Sequence, residues 1–497
     1  MQLPIGLSQL GRLIFLLKDT ALYGGAAALS KAFALITFPL LARHFTVAEY
    51  GKLDYFLFLA SLLGVFFVFG QDSAVARYFY EHEEIDDRRQ LLSQSLAFQL
   101  AGLVLLLPLL WLNAGWVTSL LIDVPDRVLL FRIVLLQVPF LLLINFSQNL
   151  LKWTFSRVQF LTMSLGFTVV QASLLVLTVV VLEVRVPGVL MVSLATSSAF
   201  GVQGIFFVRK WLTLPKDFRR LREMLPFAMP FGIICVLSAF SPTLERTLTI
   251  QFLGGDNLGL YAAGTKIAVL LGLVINSFQT AWGPFSLALF RQPDVAYTYN
   301  WVLKIFSLVM CVSVLVITVI AQPLIRMMAS ERYVGAVVVV FPLALGLAIQ
   351  ALSCITEIGI ALSKRSYLNL YVYPLSLVAT LGGIVIFASV WGLVGVAMGV
   401  LLGQSIRALA ASWLAQRVFP LPWQYAPVLC VVTLTCCIGF GTIWLGAVCG
   451  EMARLVALWI GIVAVLLVGW KAMCTKTDKH RLLELVRGRL ARTGGGQ

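Results

Sequence analysis

Nine ionisable side chains stand inside stretches that are otherwise apolar: Lys31, Asp72 and Arg77 early in the chain, then Glu245, Arg246, Lys266, Lys304, Glu357 and Arg407. An ionised group at the centre of a membrane helix costs about 2.5–3.5 kcal/mol on insertion scales, so each needs a partner, a water-filled cavity or a task. Cations outnumber anions six to three in this set. A cavity that gathered them would be electropositive and suited to a compact anion such as a diphosphate. Asp72, Glu245 and Glu357 are the acids available as ion-pair partners or coupling groups. Glu245 and Arg246 are adjacent, project about 100° apart on a helix, and can pair with different neighbours. Arg77 and Lys304 lie close enough to span ends to snorkel, which is a purely structural use of their charge.

Other chemistry finds little footing. The eight cysteines form no CxxC pair and sit mostly in apolar runs, where they serve as small packing residues. Three dispersed histidines give no metal-ligand spacing, so neither metal nor cofactor is expected. Residues 259–266, GLYAAGTK, approach the phosphate-loop pattern but carry Thr and Lys in the wrong order and open an apolar helix instead of following a strand. No GxSxG or HExxH segment is present, and no catalytic residues are predicted.

The elements that must position these residues follow from composition. The chain has 497 residues, 60% hydrophobic and 12% charged, against roughly 25% charged in soluble domains. The apolar runs predict an all-α polytopic membrane protein of about fourteen spans: 20–42, 53–80, 91–112, 128–150, 160–183, 188–210, 227–253, 260–290, 300–328, 335–362, 367–390, 391–418, 423–446 and 452–474. With the N-terminus inside, 24 of the 37 Lys and Arg fall on the inner side, about seven outside and six within spans. Both termini are therefore expected in the cytoplasm, and the +15 net charge reports topology instead of a nucleic-acid partner.

The expected organisation is an amphipathic segment over 1–19, a six-helix bundle over 20–210, a basic linker over 211–226, a second six-helix bundle over 227–418, two further helices over 419–474 and a basic tail over 475–497. The first apolar run lacks a small-residue cleavage pattern and is read as a retained span. At an offset of 208 residues, Gly51, Ala60, Leu62, Leu63 and Gly64 coincide with Gly259, Ala268, Leu270, Leu271 and Gly272, which supports two parallel repeats. Prolines inside spans, among them Pro39, Pro108, Pro230 and Pro342, permit the kinks that alternating access uses.

Residues 244–266, LERTLTIQFLGGDNLGLYAAGTK, carry an acidic-Arg pair, a Phe-Leu-Gly turn and a Gly-x-Tyr helix start. With FTVAEYGKLDYF (45–56) and FGQDSAVARYFYE (69–81), this segment resembles the polysaccharide transporter family of the multidrug/oligosaccharidyl-lipid/polysaccharide exporter superfamily. The resemblance covers roughly 20–420, with Glu245 in place of the more usual Asp. It implies a flippase of the cytoplasmic (inner) membrane that moves polyprenyl-diphosphate-linked oligosaccharide for O-antigen, capsule or exopolysaccharide assembly. It further implies membrane lipids, a glycan polymerase and glycosyltransferases as partners. On that basis Lys31, Arg77, Arg246, Lys266 and Arg407 are the cations expected to hold the diphosphate, and loss of Arg246 should weaken capture without unfolding the protein. Two alternatives are a cation-coupled multidrug exporter, which calls for dominant cavity acids, and a glycan polymerase or ligase, which calls for a large outer catalytic loop.

Overall fold

The computed structural model describes residues 37–82, 84–289, 295–363 and 365–473. Lys31, the 1–19 segment and the 475–497 tail lie outside them. The described chain is helical, with no strand among these residues. In order, the helices are α1 (37–44), α2 (Val47–Val68), α3 (Gln71–Glu81), α4 (Ile85–Leu112), α5 (Ala114–Leu121), α6 (Arg127–Trp153), α7 (Arg157–Val176), α8 (Val186–Val208) and α9 (Arg219–Leu253). There follow α10 (Gly255–Ala268), α11 (Gly272–Leu289), α12 (Val295–Met328), α13 (Val337–Thr356), α14 (Ile358–Leu362), α15 (Asn369–Val418), α16 (Tyr425–Cys449) and α17 (Glu451–Met473).

Twelve helical stretches among the described residues are long and apolar enough to cross a membrane. One of them, α15, has 50 residues and is interrupted at Gly392, whose φ of 55° and ψ of −129° are not helical. It supplies both of the expected spans 367–390 and 391–418, so the twelve account for thirteen of the expected spans. The remaining one, 20–42, is described only from residue 37.

The expected span 53–80 is corrected by the structure. Its helix starts at Val47, where Thr46 and Glu49 form a reciprocal capping box: the Glu49 amide donates to Thr46 Oγ1 at 3.2 Å and the Thr46 amide to Glu49 Oε2 at 3.1 Å. It stops at Val68, because Phe69 and Gly70 both take left-handed conformations. A Cβ on Gly70 would lie 2.5 Å from the Gly232 amide nitrogen, so the turn needs both the positive φ and the missing side chain. Asp72 and Arg77 consequently belong to the separate short helix α3.

The chain forms two compact units. The first comprises the described residues within Met1–Ala263 together with Arg326–Val334, and the second those within Gly264–Ile325 and Gly335–Gln497. In the first unit, α2 runs antiparallel to α9, and a core of Phe79, Leu91, Leu92, Leu142, Leu150, Met163 and Met224 is closed by α3, α4, α6, α7 and α9. Exposed Val104, Leu105, Leu109 and Leu112 on α4 make an apolar outer face suited to lipid. In the second unit, α15 folds back on itself after Trp391. Gly395, Gly399 and Gly403, spaced by four, meet the backbone of Phe387, the backbone of Ile384 and the Thr380 side chain. Small residues at this spacing let helix backbones approach closely in lipid.

Candidate functional site

The face of α2 formed by Gly51, Asp54, Tyr55 and Phe58 repeats at helical spacing and is covered by α9 and the start of α10. Gly51 makes the close approach possible, since a Cβ there would lie 2.5 Å from the Gly259 nitrogen. One turn on, Arg246 Nε donates to Asp54 Oδ2 at 2.7 Å, with both side chains only 2% exposed. The same guanidinium donates to the Pro242 carbonyl at 3.0 Å and lies over the Phe58 ring, 3.5 Å from its centroid. Glu245, also buried, accepts hydrogen bonds from Ser241 Oγ and Tyr261 OH, each at 2.8 Å. Tyr55 OH and Thr247 Oγ1 share a further bond at 3.1 Å. Glu245 and Arg246 thus do turn to different helices, Glu245 to α10 and Arg246 to α2.

Two acids and one guanidinium form this cluster, so in this conformation it is not a free cationic site. Asp54 and Arg246 offset one another, and the Glu245 carboxylate is held by two hydroxyl donors. Removing one member of such a pair leaves the other buried and uncompensated, at a cost of about 3–5 kcal/mol.

The other predicted residues lie elsewhere. Arg77 is exposed on α3, pairs with Glu81 at 3.3 Å and stands 4.7 Å from the centroid of Phe227. Phe227 precedes Arg246 by nineteen residues on α9, or about 28 Å of helix. A single diphosphate cannot touch Arg77 and Arg246 together in this conformation. Asp72, in the first turn of α3, accepts from the Ser73 amide at 2.8 Å. It lines a small cavity with Gln71, Ser95, Gln99, Asn145 and Asn149 and the apolar Val68, Val75, Phe146 and Trp153.

In the second unit, Arg407 donates to Tyr373 OH at 2.8 Å and lies 4.5 Å from that ring's centroid. Glu357 sits at the joint between α13 and α14. Lys266 is half-buried on α10, and Lys304 is buried on α12.

Asp54 is the residue that sequence reasoning missed. A span beginning at 53 places it at a polar end, whereas the helix beginning at Val47 places it two turns in. The capping box Thr46-x-x-Glu49 is the signal that could have found it. Among the described residues no group of three His, Cys, Asp or Glu could hold a metal ion.

The family model described as "Polysaccharide biosynthesis protein" matches residues 16–290. Two proteins of Haemophilus influenzae are each 22% identical to the chain. One, "Uncharacterized membrane protein", aligns over 77% of this chain and 95% of its own length; the other, "Lsg locus putative protein 1", over 73% and 90%. Among solved structures, the lipid II flippase MurJ in an inward closed conformation superposes with a TM-score of 0.70 at 16% identity, covering 90% of this chain and 98% of its own. An inward-facing multidrug resistance transporter of the MATE family and MOP superfamily gives 0.62 at 14% identity, covering 80% and 94%. The fold is therefore the one that the lipid II flippase and the MATE transporters share, and the chain belongs to the polysaccharide biosynthesis protein family.

Proposed function

We propose that this protein flips a polyprenyl-diphosphate-linked oligosaccharide from the cytoplasmic to the outer leaflet of the inner membrane, for O-antigen, capsule or exopolysaccharide assembly. The observation that carries the reading is a polysaccharide biosynthesis chain built almost wholly of membrane-length helices on a flippase fold. Both termini face the cytoplasm, in keeping with the Lys and Arg distribution. A glycan polymerase and glycosyltransferases act on the same lipid before and after it. Transport proceeds by alternating access of two halves about a cationic cavity, with Lys31, Arg77, Lys266 and Arg407 as the cations offered to the diphosphate. Arg246 joins them when it leaves Asp54, because a diphosphate can take the guanidinium with the same bidentate geometry as a carboxylate.

The test is deletion of the gene followed by complementation. Deletion is expected to abolish the surface glycan and to leave lipid-linked oligosaccharide in the inner leaflet, and the intact gene to restore export. Unchanged surface glycan in the deletion strain overturns the reading. A second reading, a cation-coupled multidrug exporter, draws on the buried acids Asp54 and Glu245 and on the fold held in common with MATE transporters. It predicts instead that deletion sensitises cells to lipophilic cations and leaves the glycan untouched.

A further inference from the structure

A neighbouring face of α2 carries Leu57, Ser61, Gly64 and Val68. It lines a cavity of about 370 Å³ within the first unit, whose other walls come from α6, α7 and α8. That volume is in the range of small-molecule sites. Its described lining contains no charged side chain. A diphosphate would find no cation there, and a lipophilic cation no acid.

The cavity holds amides and hydroxyls within membrane-length helices. On α6, Gln137, Leu141 and Asn145 recur every four residues along one face. Asn145 is exposed two-thirds of the way along this 27-residue helix, with its Oδ1 accepting from Asn149 Nδ2 at 2.6 Å, inside a membrane-length span where a polar side chain is costly against lipid. Gln137 is 3% exposed, and its Nε2 donates to Ser193 Oγ at 2.8 Å and Ser197 Oγ at 3.0 Å. Its Oε1 is buried without a hydrogen-bond partner among the described residues. Gln171 Nε2 donates to the same Ser193 oxygen at 3.2 Å, which leaves the Ser193 hydroxyl hydrogen free to donate. Phe167, one turn before Gln171 on α7, adds an apolar ring to the wall.

A buried amide oxygen without a partner is costly unless a ligand or water supplies the missing donor. Paired donors and acceptors beside an aromatic ring match a pyranose, whose hydroxyls both donate and accept and whose ring face is apolar. We propose that this cavity is the subsite for a sugar ring of the transported lipid-linked glycan, read by Gln137, Gln171, Asn145 and Ser193. The assignment rests on the flippase reading and adds where the carbohydrate is recognised, apart from the cations that hold the diphosphate. The ionic face and the sugar face of α2 then let one helix sense both parts of the substrate.

Gly64 offers a direct test. Among the described residues nothing but the backbone of its own helix turns lies within 4 Å of where its Cβ would be, so Gly64→Leu projects into the cavity. Leu also suits the helix better than Gly. The measurement is equilibrium binding to purified full-length protein of two probes: polyprenyl diphosphate, and the oligosaccharide-bearing polyprenyl diphosphate extracted from the source cells. Wild type is expected to bind the second about tenfold more tightly, the scale of one or two net hydrogen bonds. Gly64→Leu and, independently, Gln171→Leu should reduce this preference to about twofold or less and leave affinity for the bare lipid unchanged. If Gly64→Leu does not fold, Gln171→Leu decides alone. A preference retained in the variants, or absent from wild type, overturns the sugar subsite while the flippase reading stands. Wild type that binds neither lipid overturns the flippase reading and the subsite with it.

Discussion

Two close helix contacts in this protein are made possible by glycine, and they differ in what lies beside it. In the second unit, the α15 hairpin closes through Gly395, Gly399 and Gly403, and its polar groups are hydroxyls that bond within the contact, Ser376 to the Gly403 carbonyl and Thr380 to the Ser376 carbonyl. In the first unit, Gly51 meets Gly259 and Gly70 meets Gly232, but a charged pair is enclosed between them. An apolar contact gains nothing from water and has one stable arrangement. A buried ion pair competes with the hydration of both ions, so it has two arrangements, paired and dry or separated and wet. On the flippase reading the α2 contact with α9 and α10 opens during transport, and the α15 hairpin stays closed.

Crosslinking separates the two contacts most sharply. In a background without native cysteines, Ala48→Cys with Gly255→Cys joins α2 to α10, where a Cβ on Gly255 would lie 3.3 Å from that of Ala48. Gly346→Cys with Gln404→Cys joins α13 to α15 at 3.7 Å; bridged cysteines have Cβ separations of about 3.5–4.5 Å. Oxidation should stop glycan export in the first pair and reduction restore it, while the second pair exports normally. Normal export with the 48–255 bridge formed would remove the distinction between the contacts.

Next in size is Arg246→Ala, which takes the guanidinium away from the buried Asp54 carboxylate and is expected to cost about 3–5 kcal/mol, seen as a lower unfolding midpoint and reduced abundance in the membrane. Asp54→Leu combined with Arg246→Met should recover most of the stability and none of the export. A double variant that exports would show that the charges are dispensable. Arg246→Lys keeps the charge but not the planar fork, so partial export with a smaller stability loss is expected. Smallest is Arg77→Ala, because an exposed pair such as Arg77–Glu81 contributes about 0–1 kcal/mol. A clear export defect at unchanged stability would give Arg77 a role in substrate capture.

These residues also show how far the sequence could be read. Hydrophobic run length suffices to find membrane helices, and Glu245–Arg246 declared itself as a charged pair in an apolar run that must turn to two neighbours. Three features escaped. Asp54 was hidden by a helix start placed six residues late, although the Thr46–Glu49 capping box was there to be read. The break at Phe69–Gly70 follows from the approach of Gly232, more than 160 residues away, and no local pattern encodes it. The 28 Å between the Arg77 and Arg246 neighbourhoods appears only once Phe227 is seen beneath Arg77. The buried Asp54–Arg246 pair reverses the expectation that loss of Arg246 spares folding.

The flippase reading requires movement of a glycan-bearing diphosphate lipid across the bilayer. Its most direct measurement uses purified protein in liposomes that contain oligosaccharide-bearing polyprenyl diphosphate, with a membrane-impermeant glycan-cleaving enzyme added outside. Lipid initially shielded in the inner leaflet is expected to become cleavable over time with wild-type protein, more slowly with Arg246→Lys, and not when the 48–255 bridge is oxidised. Cleavage that stops at the level of protein-free liposomes would contradict the flippase reading.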